Sequence, residues 1–369
     1  MNTHYYFIII AFLTTLVLSL VSVPYIIRLC KRKELYDMPN ARKVHTFAVP
    51  RLGGIIFMPI TAIGMIVGMA IYNEGVNKEL NVYLSTILMV VGAVLIYLIG
   101  LIDDLRGLRA IEKFAVQITA AMIFPTCHLM INNLNGLFGI YELPFWVSYI
   151  VTVFCILLIV NAMNLIDGID GLSSGLSIIS LICVTYLLVI TKQYFWAMLS
   201  IILMGVMCGF FYYNVFGKKD KTFMGDAGSL TLGFTLCFLL LHFWQRDPVW
   251  NPAMHNIGIV AVSTLIIPLF DVTRVTLSRL RDHRPPFMPD KNHIHHKLMR
   301  AGLGPHMTMI TILLLSIGFI VVNYFVAATL SQTLMVIMDI MLFTLMHIII
   351  NIFIFRKEKE TGIKWSRIF

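Results

Sequence analysis

The sequence predicts an all-α protein: a polytopic membrane helical bundle of about eleven transmembrane helices, with the N-terminus outside and the C-terminus cytoplasmic. Three observations carry this. Long apolar runs recur along the whole chain, basic residues fall almost wholly in alternate loops, and the balance of residue types is that of a chain dissolved in lipid. Of 369 residues 59% are hydrophobic and only 13% are charged, with a mean hydropathy of +0.85, well outside the range of soluble domains.

A helix needs about 20 predominantly apolar residues to cross the hydrocarbon core. Eleven runs meet that requirement, at about 5–29, 52–72, 81–102, 111–131, 144–163, 173–191, 195–214, 229–245, 257–280, 309–329 and 332–355. A membrane β-barrel reads instead as short alternating segments. The first run is followed, not preceded, by basic residues (Arg28, Lys31, Arg32, Lys33) and is long, so it reads as a retained anchor and not a signal peptide.

Short cytoplasmic loops accumulate Lys and Arg. With the N-terminus outside, the inner loops and tail take all but three of the 28 basic residues, leaving only Lys78, Lys192 and Arg246 outside. An error of one span would mix the two sets. The formal charge of +9 is thus a topology signal and a match to anionic lipid and phosphate. It does not indicate nucleic acid, because the basic residues are divided among loops between spans. The six cysteines form no C-x-x-C pair and predict no disulfide framework.

No stretch is long enough for a separate soluble domain, and no repeat or low-complexity tract interrupts the pattern, so residues 1–369 read as a single domain. The Gly-punctuated stretch 134–144 reads as a small hairpin in an outer loop. Nearly all unusual polar residues lie on the inner side, and function is expected there.

Four constellations stand out. The first is Asp103-Asp104, closing an apolar span, with Lys113 opening the next. Carboxylates at such a position are costly unless solvated, paired or metal-bound, and mutual repulsion raises the pKa of one toward that of a base. Lys113 can bind phosphate or simply snorkel. The second is Asn161-Ala162-Met163-Asn164-Leu165-Ile166-Asp167-Gly168-Ile169-Asp170-Gly171. On a helix, Asn161, Asn164 and Asp167 share a face, and the two glycines permit close approach of backbone to ligand.

The third comprises Asn214 and then Phe223-Met224-Gly225-Asp226-Ala227-Gly228-Ser229. Asp226 and Ser229 can cap a helix; a carboxylate beside a helix N-terminus also suits a hydrated divalent cation on a diphosphate. The fourth is the basic loop from Arg281 to Lys297, with Arg284, His293, His295 and His296. The histidines suggest zinc, but Arg284, Lys291 and Lys297 crowd them and no cysteine partner is near, which favours diphosphate over a cation.

In this order, together with Asp37-Met38-Pro39-Asn40-Ala41-Arg42-Lys43-Val44-His45 and Pro50-Arg51-Leu52-Gly53-Gly54, the constellations resemble the polyprenyl-phosphate N-acetylhexosamine-1-phosphate transferase family over about residues 37–300. That family also includes the phospho-MurNAc-pentapeptide translocases. The sequence His293-Ile294-His295-His296, in place of three consecutive histidines, is similar to the branch that starts teichoic acid, enterobacterial common antigen and O-antigen chains.

The resemblance implies transfer of an N-acetylhexosamine-1-phosphate, by default GlcNAc-1-phosphate, from a UDP-sugar to undecaprenyl phosphate with release of UMP. Related enzymes use UDP-GalNAc or modified amino sugars. It further implies Mg²⁺ (or Mn²⁺) at Asp226 and Asn164, acidic catalytic residues at Asp103, Asp104 and Asp167, and a nucleotide site at Asp170 and Asn214. Phosphate and sugar fall to Lys113, Arg284, His293, His295 and His296. Direct attack and a covalent carboxylate intermediate both remain open. The expected partners are the UDP-sugar, the polyprenyl phosphate and membrane lipid of the bacterial inner membrane, with no nucleic acid, and a homodimer is left open. A polytopic transporter or flippase is the competing class, but such proteins place polar sites near the midplane, often within repeated halves, whereas these carboxylates lie at span ends.

Overall fold

The computed structural model describes residues 3–37, 49–50, 52–76, 84–217, 220–244, 256–285 and 291–362. Arg42, Lys43, His45 and Arg51 lie outside the described residues. Helices dominate: α1 (Thr3–Arg32), α2 (Phe57–Val76), α3 (Leu84–Arg106), α4 (Ala110–Thr126), α5 (Phe145–Ile166), α6 (Leu172–Ile190), α7 (Tyr194–Phe211), α8 (Gly225–Trp244), α9 (Ile257–Ser263), α10 (Ile266–Arg281), α11 (Ile294–Arg300), α12 (Pro305–Val326) and α13 (Gln332–Thr361). Among the described residues nine helices are long and apolar enough to cross a membrane, and the α9–α10 pair makes a tenth. The chain is therefore an all-α polytopic membrane protein.

Two elements depart from the eleven expected spans. Residues 257–280 form not one rod but two helices bent by 71°. Pro268 has no N–H to give the carbonyl of Thr264, one turn back, and the helix breaks there; the Thr264 hydroxyl donates to the Ala261 carbonyl and meets the Ser180 hydroxyl, each at 2.7 Å. The run expected over 111–131 is helical only to Thr126, just past Pro125, and its 17 residues fall short of the nine helices long enough to cross. The hairpin forms, as the antiparallel strands β1 (Asn133–Leu137) and β2 (Ile140–Glu142), in register Asn133↔Glu142 and Leu137↔Ile140. The six cysteines are free.

The central helix is α8, buried along almost its whole length and packed against α3 and α5. Phe124 of α4 meets Phe234 of α8 edge to face, with centroids 5.0 Å apart. Outward faces of the surrounding helices expose large apolar residues such as Val21, Ile66, Ile150 and Phe325, as lipid contact requires. Within the α12–α13 pair, Asn323 Nδ2 donates to the buried Asp339 carboxylate at 2.8 Å, a polar tie between membrane helices.

The start of α8 is threaded into an early part of the chain. Phe223 N–H donates to the Pro50 carbonyl (3.0 Å), and the N–H groups of Gly53 and Gly54 donate to the carbonyls of Phe223 (2.9 Å) and Met224 (2.8 Å). This works only because Gly54 and Gly228 lie backbone to backbone: a Cβ on Gly54 would strike the Gly228 Cα and the Met224 carbonyl. Gly54→Val is therefore expected to abolish the folded state, read as loss of a monodisperse peak for the detergent-solubilised protein; a normal yield would show that the two segments can separate without harm.

Candidate active site

Five helix ends meet at one end of the bundle: the C-termini of α3 and α5 and the N-termini of α4, α6 and α8. Asp103 and Asp104, both buried, close α3. The Asp104 carboxylate accepts the backbone N–H groups of Asp226 and Ala227, each at 2.9 Å, and so caps α8 from a different helix. Such a bond joins a charge to the positive end of the helix dipole. Gly100, one turn earlier on α3, lets the two backbones touch, since a Cβ there would meet Ala227.

Asp103 has a different set of partners. One oxygen accepts Leu108 N–H at 2.6 Å, and the other faces the Lys113 ammonium at 3.1 Å. Between them Gly107, at φ +70°, turns the chain from α3 into α4. Lys113 Nζ also lies 2.7 Å from Asp226 Oδ2, so the ammonium bridges Asp103 and Asp226. The remaining oxygen of Asp226 accepts Asn164 Nδ2 at 3.1 Å, and Asn164 also donates to Ser229 Oγ at 2.8 Å. Asp103, Asp104, Lys113, Asn164 and Asp226 are therefore one hydrogen-bonded network.

The asparagine ladder of α5 divides. Asn164 joins the network, whereas Asn161 donates to Gln117 of α4 at 2.8 Å and fastens α4 to α5. Asp167, at the end of α5, donates its backbone N–H to the Asn164 carbonyl at 3.4 Å, but its carboxylate makes no hydrogen bond to any described residue. Its carboxyl is pushed up to about 8 by burial and by the charges of Asp170, Asp226 and Asp104. Asp170 pairs with Lys221 at 2.5 Å, leaving its second oxygen buried without a partner. Asn214, expected at the nucleotide, sits in a π-helical turn, Tyr212–Phe216, with its amide taken up by backbone: Oδ1 accepts Gly171 N–H at 2.6 Å and Nδ2 donates to the Thr222 carbonyl at 2.8 Å. Its place is that of a strut under the Asp170 loop.

The histidine segment closes over α5. The His295 ring lies against Gly168, where any side chain would collide with it. Burial and the neighbouring His296 and His293 push the His295 pKa down to about 3, so the ring is neutral. His293 stacks on His295 in parallel (5.9 Å, 5°), and His296 packs on His295 at 4.3 Å. Arg284 is half-exposed and paired with Asp282 at 2.6 Å; no described contact links it to the carboxylates. Lys221, Gln117, Asp271 and Arg274 were not singled out from sequence. An Asp inside the apolar run 257–280 is a signal that would have found Asp271.

Among the described residues the electrostatic balance is negative. Five carboxylates (Asp103, Asp104, Asp167, Asp170 and Asp226) face two ammonium groups, Lys113 and Lys221, in the contacts between described residues. The carboxylates with room left, together with Asn164 Oδ1, are hard oxygen donors of the kind Mg²⁺ takes in small number while keeping its waters. No group of three or more His, Cys, Asp or Glu is arranged to hold a metal by itself among the described residues, which is not the closed ligand set of a structural zinc.

Residues 86–243, which include every member of this network, match the family model described as glycosyl transferase family 4. Over 316 residues the chain is 31% identical to a Bacillus subtilis strain 168 protein named "Probable undecaprenyl-phosphate N-acetylglucosaminyl 1-phosphate transferase", covering 85% of this chain and 82% of that one. It is 34% identical over 275 residues to the undecaprenyl-phosphate alpha-N-acetylglucosaminyl 1-phosphate transferase of Pasteurella multocida strain Pm70, covering 73% and 72% of the two chains. The protein of the same name from Escherichia coli K12 is 30% identical over 306 residues, covering 79% and 77%. With this network at its centre and similarity over most of its length, the chain belongs to glycosyl transferase family 4, among the polyprenyl-phosphate N-acetylhexosamine-1-phosphate transferases.

Proposed function

We propose that the protein transfers N-acetylhexosamine-1-phosphate, with GlcNAc-1-phosphate as first choice, from a UDP-sugar to undecaprenyl phosphate, releasing UMP at the cytoplasmic face of the inner membrane. The observation that carries this is the joining of Asp103, Asp104, Lys113, Asn164 and Asp226 into one network at one end of an apolar bundle, in a chain whose relatives are named for that lipid and that phosphosugar. Residues 1–369 act as one domain. Counting α4 and the bent α9–α10 pair as crossings gives eleven spans, with the N-terminus outside.

Phosphoryl transfer depends chiefly on positioning and on neutralising spread charge. Asp226 and Asn164 would hold Mg²⁺, which when bound supplies charge neutralisation to the diphosphate. Lys113, already gathered between two carboxylates, provides a mobile positive charge for phosphate oxygens. Asp103 orients it, and Asp104 keeps the start of α8 in place. The Asp167 carboxylate has no hydrogen bond to a described residue to give up, so it is the carboxylate best able to take a proton from the lipid phosphate. An oxygen of that phosphate then bonds to the sugar-bearing phosphorus, and the bond from that phosphorus to the bridging oxygen breaks, so that UMP leaves. Asp170, with Lys221 and the Asn214 strut, faces the nucleoside, and His293, His295 and His296 face the phosphosugar.

The test is UMP release by purified protein with undecaprenyl phosphate, Mg²⁺ and a panel of UDP-sugars. Lipid-dependent release that EDTA lowers by about 10²-fold or more and Mg²⁺ restores is the expected result. Folded protein that releases no UMP from any donor would overturn the reading.

A further inference from the structure

An ionisable side chain inside a membrane helix is costly and needs a partner or a task. Asp271 lies on α10 and is completely buried. Both its oxygens reach across to the histidine segment: Oδ2 faces His293 Nδ1 at 2.9 Å, and Oδ1 accepts the Ile294 N–H at 3.1 Å. Oδ1 is also held by Arg274 at 2.8 Å, and the same guanidinium donates to the Asn292 carbonyl at 2.5 Å. One Asp–Arg pair, spaced i,i+3 on α10, thus fastens three consecutive residues, 292, 293 and 294.

The chemistry of the contact with His293 is directional. A carboxylate can only accept, so Nδ1 of His293 carries the proton, and Nε2 is the nitrogen left for a ligand. The ring so fixed lies parallel to His295, and His295 rests on Gly168 between Asp167 and Asp170. Orientation therefore passes from Asp271 through His293 to the loop beside the carboxylates.

We infer that Asp271, locked by Arg274, is a positioning residue for the transfer reaction: it sets the tautomer and angle of His293 so that Nε2 is presented to the phosphosugar of the donor. The identity of that ligand rests on the proposed transferase activity; the Asp271–His293 pairing does not. A merely structural Asp271 would hold the first turn of α11 and be indifferent to the identity of residue 293.

Asp271→Asn separates the two roles. The carboxamide oxygen still accepts from Ile294 and Arg274, but its amide offers N–H to Nδ1 and so drives the proton to Nε2. The expected result is a fall in kcat of about 10²–10³-fold, with the KM for the donor changed by less than about 3-fold. In a His293→Gln background the same substitution should cost nothing further. Nitrogen NMR of histidine-labelled protein, with His293 assigned by its loss in His293→Gln, should show protonated Nδ1 in the native protein and protonated Nε2 in Asp271→Asn. Native His293 protonated on Nε2 alone, or losses that multiply in the double variant, would overturn the inference. If Asp271→Asn does not fold, the native spectrum decides by itself. Absence of turnover by the native protein with every donor would remove the transferase reading and leave the NMR outcome standing.

Discussion

Asp226→Asn is expected to lower turnover by about 10³-fold or more while leaving a folded, membrane-inserted protein. The substitution keeps the size of the side chain, and one carboxamide oxygen can still accept from Asn164. It removes the charge that holds Lys113 at 2.7 Å, and it removes the anionic oxygen from the proposed metal site. Folding survives because the first amides of α8 are satisfied by Asp104, not by Asp226 itself. A Mg²⁺ titration of the residual activity should shift to higher concentration. Activity within about tenfold of native would dismiss Asp226 as metal ligand.

Asp104→Ala should act through stability. It strips one buried and one part-buried backbone N–H of their acceptor at once, and each lost charge-assisted bond to a buried donor costs about 1.5–3 kcal/mol. Asp104→Asn should be little better, because only one end of a carboxamide can accept and the other turns N–H toward N–H. Asp103→Asn provides the contrast. Its oxygen can still accept from Leu108, and Lys113 keeps Asp226, so the fold should hold while activity falls. Thermal unfolding in detergent measures the difference. Equal midpoints for Asp103→Asn and Asp104→Asn would refute this division of labour between adjacent carboxylates that look equivalent in sequence.

The helical class was readable because hydrophobic length is imposed by the bilayer rather than by tertiary contacts. What the hydropathy of 257–280 conceals is the bend at Thr264–Leu265, where Pro268 is the only local sign and the apolar pattern runs on unbroken. The shortness of α4 has a similar origin in Pro125. At the site, each local motif holds together: Asp103 and Asp104 are adjacent, Asn164 and Asp167 share one turn, and Asp226 opens a helix. Sequence reasoning failed on partners brought from elsewhere. Lys221 on Asp170, Gln117 on Asn161 and Asp271 on His293 each join residues separated by at least 22 positions, and no local spacing encodes them. The hydrogen bonds of Asn214 were hidden for the same reason, since the backbone that engages its amide comes from two other segments.

The hydrogen bonding of the α8 start to Pro50, Gly53 and Gly54 bears on how the protein is made. Thr222 and Pro50, joined by a 3.1 Å hydrogen bond, are 172 residues apart in the chain. Synthesis runs from the N-terminus, so the hydrogen bonds from Gly53 and Gly54 form only after the chain has been made as far as Met224. A nascent chain interrupted before this point carries Asp103 and Asp104 but neither the backbone amides that Asp104 caps nor the carboxylate that gathers Lys113. Incomplete products are thereby left without an assembled network.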